Sequence, residues 1–377
     1  MAERKNEARW LEKYQRWQIN VQKDGARKTF YSKTTGTKGK IDAEKQADKW
    51  LKEGSTSKPI RFSKLYEQFL AEKELLKGKS SSDLRKHEYI GRQYLLPTLG
   101  TRKVDNITLG DWQTCLNNAF KHSQENGRPL SAKSLKNIRA SMTAVYTYAR
   151  RHSINLAKPE YLQIPKSAPI GQRKILTPED IKLIFTTDTY YDDKGKEHSF
   201  SYIHLVRFIL LTGLRPGEAL GIQPAEDIQN NILTISRSVN NQGELTDGKN
   251  ANAHRSQYLS SSALKIIADQ QQLLKAQAII SPWLFPNYKG EVACQNYIYN
   301  SWRRYRDSHG ITPCSLYELR HTMVSVIKNS IPSHLLKMVL GHTETMDTYG
   351  IYGHEFAGDL QTVADTADSL FQKIINR

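Results

Sequence analysis

Between residues 16 and 33, RWQINVQKDGARKTFYSK, apolar Trp17, Ile19 and Val21 alternate with polar neighbours, the chain passes Asp24-Gly25, and Thr29, Phe30 and Tyr31 follow. Period-two alternation around an Asp-Gly turn predicts a β-hairpin. The next stretch, IDAEKQADKWLKEG, puts Ala43, Ala47, Trp50 and Leu51 on one helical face, with Asp42 as the expected N-cap. A Gly/Ser/Pro-rich run, GSTSKP at 54–59, has the composition of a linker and closes this small ββ-helix module. From Phe62 to about Ser153 the apolar period lengthens to that of helices, in four segments: FSKLYEQFLAEKELL, LRKHEYIGRQYLLPTLG, LGDWQTCLNNAFKHSQ and SAKSLKNIRASMTAVYTYARRHS. A second linker, IPKSAPIGQR at 164–173, leads into LTPEDIKLIF, where Thr177 is the expected N-cap and Pro178 the first helical residue. Beyond it the pattern is mainly helical, with a strand over 231–239 and a partner strand near 257–259. The expected architecture is multidomain α+β: a hairpin/helix module (1–56), an all-α domain (60–165) and a mainly α domain with a small antiparallel sheet (172–377).

Charge divides the chain along the same line. The 377 residues carry a formal net charge of +17, and all of that excess lies in residues 1–171, with acids and bases balanced from 172 onward. Such an excess calls for a polyanionic partner, nucleic acid or an anionic membrane. Membrane binding would need a long apolar run, a basic amphipathic helix or an acylation signal, and the sequence offers none, nor a secretory signal in MAERKNEARW. A cytoplasmic DNA-binding protein is therefore expected. Cys115, Cys294 and Cys314 lack metal-type spacing and are expected to be reduced, structural thiols. In the last segment of the helical domain, Lys133, Lys136, Arg139, Arg150 and Arg151 surround Tyr146 and Tyr148, which suits phosphate contact over apolar packing and equally suits a solvated face.

The neutral third domain holds three segments rich in Arg, His and Tyr: LTGLRPGEAL (211–220), SLYELRHTMVS (315–325) and LGHTETMDTYGIYGHE (340–355). A buried arginine must be paired, and Glu218, three residues after Arg215, can hold its guanidinium. Two guanidiniums, Arg215 and Arg320, can bind the non-bridging oxygens of a trigonal-bipyramidal phosphate in bidentate fashion and stabilise its added charge without a metal. A tyrosine nucleophile conserves the energy of the broken phosphodiester, so rejoining needs no ATP. Departure of the 5′ oxygen needs a proton donor.

These segments resemble the signature boxes of the tyrosine recombinases, and the resemblance extends over the whole chain, including its domain order. The first box, of the TGLRxGE type, is matched by residues 212–218. The second, His-x-x-Arg-His-Thr in the family, reads Tyr317, Glu318, Leu319, Arg320, His321 and Thr322. Tyr317 thus departs from the usual histidine. A phenol can donate a hydrogen bond to phosphate but is a poor base near pH 7, so Tyr317 is expected to position rather than shuttle protons. His321 is expected to be structural. The resemblance implies that His342, in Leu340-Gly341-His342, is a second hydrogen-bonding group. It also implies a nucleophile nine or ten residues beyond and followed by x-His, which Tyr352-Gly353-His354 satisfies and Tyr349 does not. Its general acid, a lysine on a hairpin between the first two boxes, corresponds to Lys249, with Arg255 the other basic candidate there and expected to be strand-borne.

By the same resemblance, residues 1–56 correspond to an arm-site-binding domain, 60–165 to a core-binding domain and 172–377 to the catalytic domain. The implied activity is integration or excision of a prophage or mobile element through a 3′-phosphotyrosine. Implied partners are attachment-site DNA with core and arm-type sites, a homotetramer, and an excisionase or DNA-bending protein. No metal or other cofactor is expected. A type IB topoisomerase-like enzyme and a catalytically silent DNA-binding regulator are the competing readings. The C-terminal stripe of Leu360, Val363, Ala367, Leu370, Phe371 and Ile374 is expected to dock either on a neighbouring subunit or on its own domain.

Overall fold

A computed structural model describes residues 6–23, 26–52, 60–79, 81–246, 254–341 and 358–376. The chain divides into two compact units, Met1–Gly171 and Gln172–Arg377. The first unit begins with an antiparallel sheet of order β1-β2-β3: β1 (Arg9–Leu11), β2 (Arg16–Lys23) and β3 (Ala26–Ser32). Helix α1 (Gly36–Lys52) covers one face, and Ile19 and Val21 pack with Ala43, Ala47, Trp50 and Leu51 as the alternation requires. β1 adds a strand to the expected hairpin; three residues are too few to show a period. The helix starts six residues before Asp42, which is therefore no N-cap but an internal residue whose carboxylate accepts from Gln46 at 3.3 Å. Tertiary packing explains the extension. A Cβ at Gly39 would lie 1.7 Å from the Thr34 carbonyl oxygen and 2.8 Å from Trp17 Cδ1, so its absence lets the first turns close onto the segment after β3 and onto the sheet.

The four expected helical segments follow: α2 (Phe62–Lys77), a run composed of α3 (Ser82–Ile90), a π turn (Gly91–Leu95) and α4 (Leu96–Leu99), then α5 (Leu109–Glu125) and α6 (Ala132–Arg151). Their core is built on Phe62, Phe69, Trp112, Leu135 and Met142. At the π turn the chain passes against the buried Tyr66 ring, whose hydroxyl donates to the His87 carbonyl at 2.7 Å. Burial pushes this phenol up to about 12 and holds the His87 imidazole, 2.7 Å from Ser141 Oγ, down to about 4. An alanine in an open helix gains about 1 kcal/mol over glycine. At Gly91 the added Cβ would sit 2.2 Å from Tyr66 Cε1, so Gly91→Ala is expected to cost about 1–3 kcal/mol instead. Thermal denaturation should show a lower Tm; an unchanged or higher one would contradict this packing.

The second unit opens with α7 (Pro178–Thr186), where Thr177 and Asp180 form a capping box. The hairpin β4 (Thr189–Tyr191)/β5 (Glu197–Ser199) precedes the central helix α8 (Ile203–Thr212), then the short α9 (Pro216–Leu220) and α10 (Pro224–Asp227). Strands β6 (Ile228–Gln229), β7 (Ile232–Ile235), β8 (Ser238–Val239), β9 (Leu245–Thr246) and β10 (Arg255–Tyr258) follow. The unit closes with α11 (Ser261–Ala276), α12 (Gln295–Ser308), α13 (Leu316–Ile327), α14 (Ser333–Leu340) and α15 (Asp359–Ile375).

β7 pairs antiparallel with β10, as expected, and with β6. The single strand expected over 231–239 is split, however. At Arg237 the guanidinium turns to Glu226 (3.0 Å) and Asp227 (3.2 Å), and β8 pairs with β9 instead. α8 is buried along almost its whole length between α11 and α13. The C-terminal α15 docks on its own unit: Val363, Ala364, Ala367 and Phe371 are buried against α7, α8, α13 and α14, and Asp368 accepts the Ser262 N–H at 3.2 Å. All three thiols are free, and burial pushes those of Cys115 and Cys314 up to about 12. Among the described residues no helix is long and apolar enough to cross a membrane.

Candidate active site

Arg215 sits at the entrance of α9 rather than within a helix. Its backbone is extended (φ −68°, ψ 144°), and Pro216 follows as the first helical residue. Glu218, at the third helical position, is 4% exposed and accepts the Arg215 backbone N–H at 2.9 Å and its Nη1 at 2.6 Å. The expected pairing is thus present, with a different cause: a capping arrangement rather than two residues on one helix face. Its carboxylate has a further partner that the motifs did not single out. Arg255, the first residue of β10, donates Nη1 and Nη2 to both oxygens of Glu218 at 3.0 and 2.9 Å. Burial raises the Glu218 carboxyl, but bonds and charge from Arg255 and Arg215 outweigh that and leave it below the usual carboxylate range.

Arg320 lies in α13 with 1% of its surface exposed. Its Nη1 donates to the Gly213 carbonyl at 2.9 Å and its Nη2 to the Leu340 carbonyl at 2.5 Å. Burial first, and then the charge of Arg215, bring this guanidinium down to about 10, so it stays protonated at neutral pH.

The arginines meet at the C-terminal end of α14. A helix leaves its last carbonyls without intrahelical donors and concentrates partial negative charge there. The Gly341 N–H serves Lys337 and Met338. The next three carbonyls each accept from a different arginine: Val339 from Arg255 Nε (2.8 Å), Leu340 from Arg320, and Gly341 from Arg215 Nη2 (3.2 Å). Partners 20, 84 and 126 positions apart are gathered around one helix end.

Tyr317, in the first turn of α13, is 43% exposed and stands beside Arg215; burial lowers that guanidinium, and the bond and charge of Glu218, followed by Tyr317, outweigh it and raise it above its usual value. Its ring meets His321 edge to face at 5.2 Å. Burial, then the charges of Arg173 and Arg320, hold the His321 imidazole below its usual value. Glu318 turns away to accept the backbone N–H groups of Lys174 (2.8 Å) and Ser315 (2.7 Å), fixing the start of α13.

Arg215, Glu218, Tyr317 and Arg320 are therefore brought together, and Arg255 joins them. Lys249, His342, Tyr349 and Tyr352 lie outside the described residues, between Thr246 and His254 or between Gly341 and Gly358. In the first unit, Lys133, Lys136, Arg150 and Arg151 are exposed along α6. Arg151 is paired with Glu72, and Arg139, partly buried, donates to the Leu162 carbonyl at 3.3 Å.

The model of the phage integrase family matches residues 174–358, the span that carries this arginine cluster. The second unit carries the sequence pattern of the phage integrase family. The ICEBs1 integrase of Bacillus subtilis (strain 168) is 25% identical over 265 residues, 66% of this chain and 68% of its own. The integrase fold is also shared with solved structures. The Tn1549 transposon integrase in complex with transposon right end DNA has a TM-score of 0.60 at 18% identity, covering 83% of this chain and 99% of that one. A lambda integrase dimer bound to a COC′ core site has a TM-score of 0.55 at 15% identity, covering 94% and 99%. Arg255, expected only as a strand-borne alternative to Lys249, is a member of this cluster that the motifs gave no role. The signal available was its parity with inward-facing Gln257 and Leu259 on the same strand.

Proposed function

We propose that this chain is a site-specific recombinase that cleaves and rejoins DNA through a 3′-phosphotyrosine, integrating or excising a mobile element. The observation that carries the reading is the convergence of Arg215 and Arg320 at the end of α14, immediately before His342. Arg215 and Arg320 hold the non-bridging oxygens of the scissile phosphate and stabilise the charge that develops there. Tyr317 and His342 donate further hydrogen bonds to the same phosphate. Tyr352 attacks, and Lys249 protonates the departing 5′ oxygen. Glu218 keeps Arg215 in place. No metal is needed, because the guanidiniums supply the positive charge.

Residues 1–56 act as an arm-type DNA-binding domain, 60–165 as the core-binding domain and 172–377 as the catalytic domain. The sheet of the first module supports this division. Opposite its packed face it presents Arg16, Gln18, Asn20 and Gln22, amides suited to base edges beside a phosphate-binding cation. Lys133, Lys136, Arg139, Arg150 and Arg151 contact backbone phosphates of the core site. A lambda integrase tetramer has been seen bound to a Holliday junction; this chain likewise assembles as a tetramer on its attachment sites in the bacterial cytoplasm, with an excisionase or bending protein setting direction.

The test is a nicked duplex carrying the termini of the element that encodes the chain, from which the cleaved fragment diffuses away and traps the covalent complex. An SDS-stable adduct is expected in EDTA and without ATP. Loss of the adduct on chelation would sink the metal-free mechanism, and adduct formation on any duplex regardless of sequence would favour a topoisomerase.

A further inference from the structure

Arg255 is 8% exposed at its side chain and spends three N–H groups on two targets: both oxygens of Glu218 and the Val339 carbonyl. We infer that Arg255 is a positioning residue that sets the orientation of the Arg215 guanidinium and of the 339–341 turn. The inference rests on the recombinase reading above.

Glu218 is the acidic group bonded to both guanidiniums, and it faces Arg215 from the side on which the helix α9 begins. With Arg215 as its only cation, the carboxylate would draw that guanidinium fully onto itself and cancel its charge at the phosphate. Arg255 supplies a second cation in a bidentate fork, so Arg215 shares Glu218 and keeps one edge for other acceptors. Geometry adds a second role. The same guanidinium ties Val339 to β10, while Arg320 and Arg215 tie the next two carbonyls. Arg255 is thus a bond shared between the support of the first arginine and the helix end that precedes His342. It touches no reacting atom in this scheme.

A different role for Arg255 would run through Lys249, six residues earlier in the sequence. The two are separated by leaving-group chemistry. A substrate with sulfur in the bridging 5′ position loses a thiolate, which needs no proton donor, so it restores cleavage only when the lost function is general acid catalysis.

Single-turnover cleavage of the nicked terminal duplex should fall on the order of 100-fold in Arg255→Ala and on the order of 10-fold in Arg255→Lys, with DNA affinity unchanged. The bridging-sulfur duplex should not restore either. Glu218→Gln combined with Arg255→Ala should cost little more than the worse single change, because both act on Arg215. Thermal melting of each variant reports folding, and Arg255→Lys, which keeps a cation against Glu218, carries the test if Arg255→Ala is unfolded. Restoration by sulfur, additive losses in the double variant, or wild-type cleavage by a folded Arg255→Lys would each overturn the inference. Should wild type itself form no adduct on these duplexes, the recombinase reading fails instead.

Discussion

Tyr352→Phe is expected to abolish the covalent protein–DNA adduct while leaving binding of the same duplex intact. Removing a sole nucleophile costs on the order of 10⁴-fold or more, since the remaining site can only bind and polarise the phosphate. Tyr349→Phe should keep the adduct, with at most a modest change in rate. The distinction rests on spacing: Tyr352 is ten residues past His342 and is followed by Gly353-His354, whereas Tyr349 is seven past and followed by Gly350-Ile351. Gel resolution of SDS-stable adducts from the nicked duplex reads both variants at once. Adduct persisting in Tyr352→Phe, with its loss in Tyr349→Phe, would reverse the assignment.

Arg320→Ala is expected to damage both chemistry and fold, and Arg215→Ala chiefly chemistry. Each removes one donor set from the phosphate, worth roughly 10²–10³-fold in cleavage when a preorganised charge-stabilising group is lost. Their environments differ sharply. Arg320 is 1% exposed and satisfies the Gly213 and Leu340 carbonyls from inside the core. Its removal leaves a cavity the size of a long side chain and two acceptors without their donors, together about 2–5 kcal/mol. Arg215 has a side chain 31% exposed, and Glu218 would retain Arg255 as counter-ion. Single-turnover cleavage and thermal denaturation, measured together, should show comparable rate losses and a clearly lower Tm only for Arg320→Ala. Equal Tm values for the two variants would contradict the burial argument, and wild-type cleavage by either would contradict the phosphate clamp.

Periodicity carried most of the architecture, because most elements bury one face against a core of their own unit. Ile19 and Val21, Phe62 and Phe69, and Val363 with Phe371 all reveal their faces in the local pattern. Failures occur where a distant contact outranks a local signal. α1 runs past Asp42 because Gly39 admits the Thr34 carbonyl and Trp17, and the 231–239 strand breaks where Arg237 finds two carboxylates ten and eleven residues upstream. The site divides in the same way. Arg215 and Arg320 stand in recognisable boxes, and so does Glu218. Arg255 does not, since its meaning lies in a carboxylate 37 residues away and a carbonyl 84 residues away, neither of which leaves a trace near it in sequence.

The helix end that gathers Arg255, Arg320 and Arg215 also fixes the length of α14. Each residue of an α-helix advances the chain by about 100° around the axis and 1.5 Å along it. One residue inserted or deleted between Ser333 and Leu340 would rotate the carbonyls of Val339, Leu340 and Gly341 away from all three guanidiniums together. The eight-residue helix is therefore a ruler as much as a packing element. It delivers its last carbonyls in one rotational phase, so that Val339, Leu340 and Gly341 each meet a different arginine.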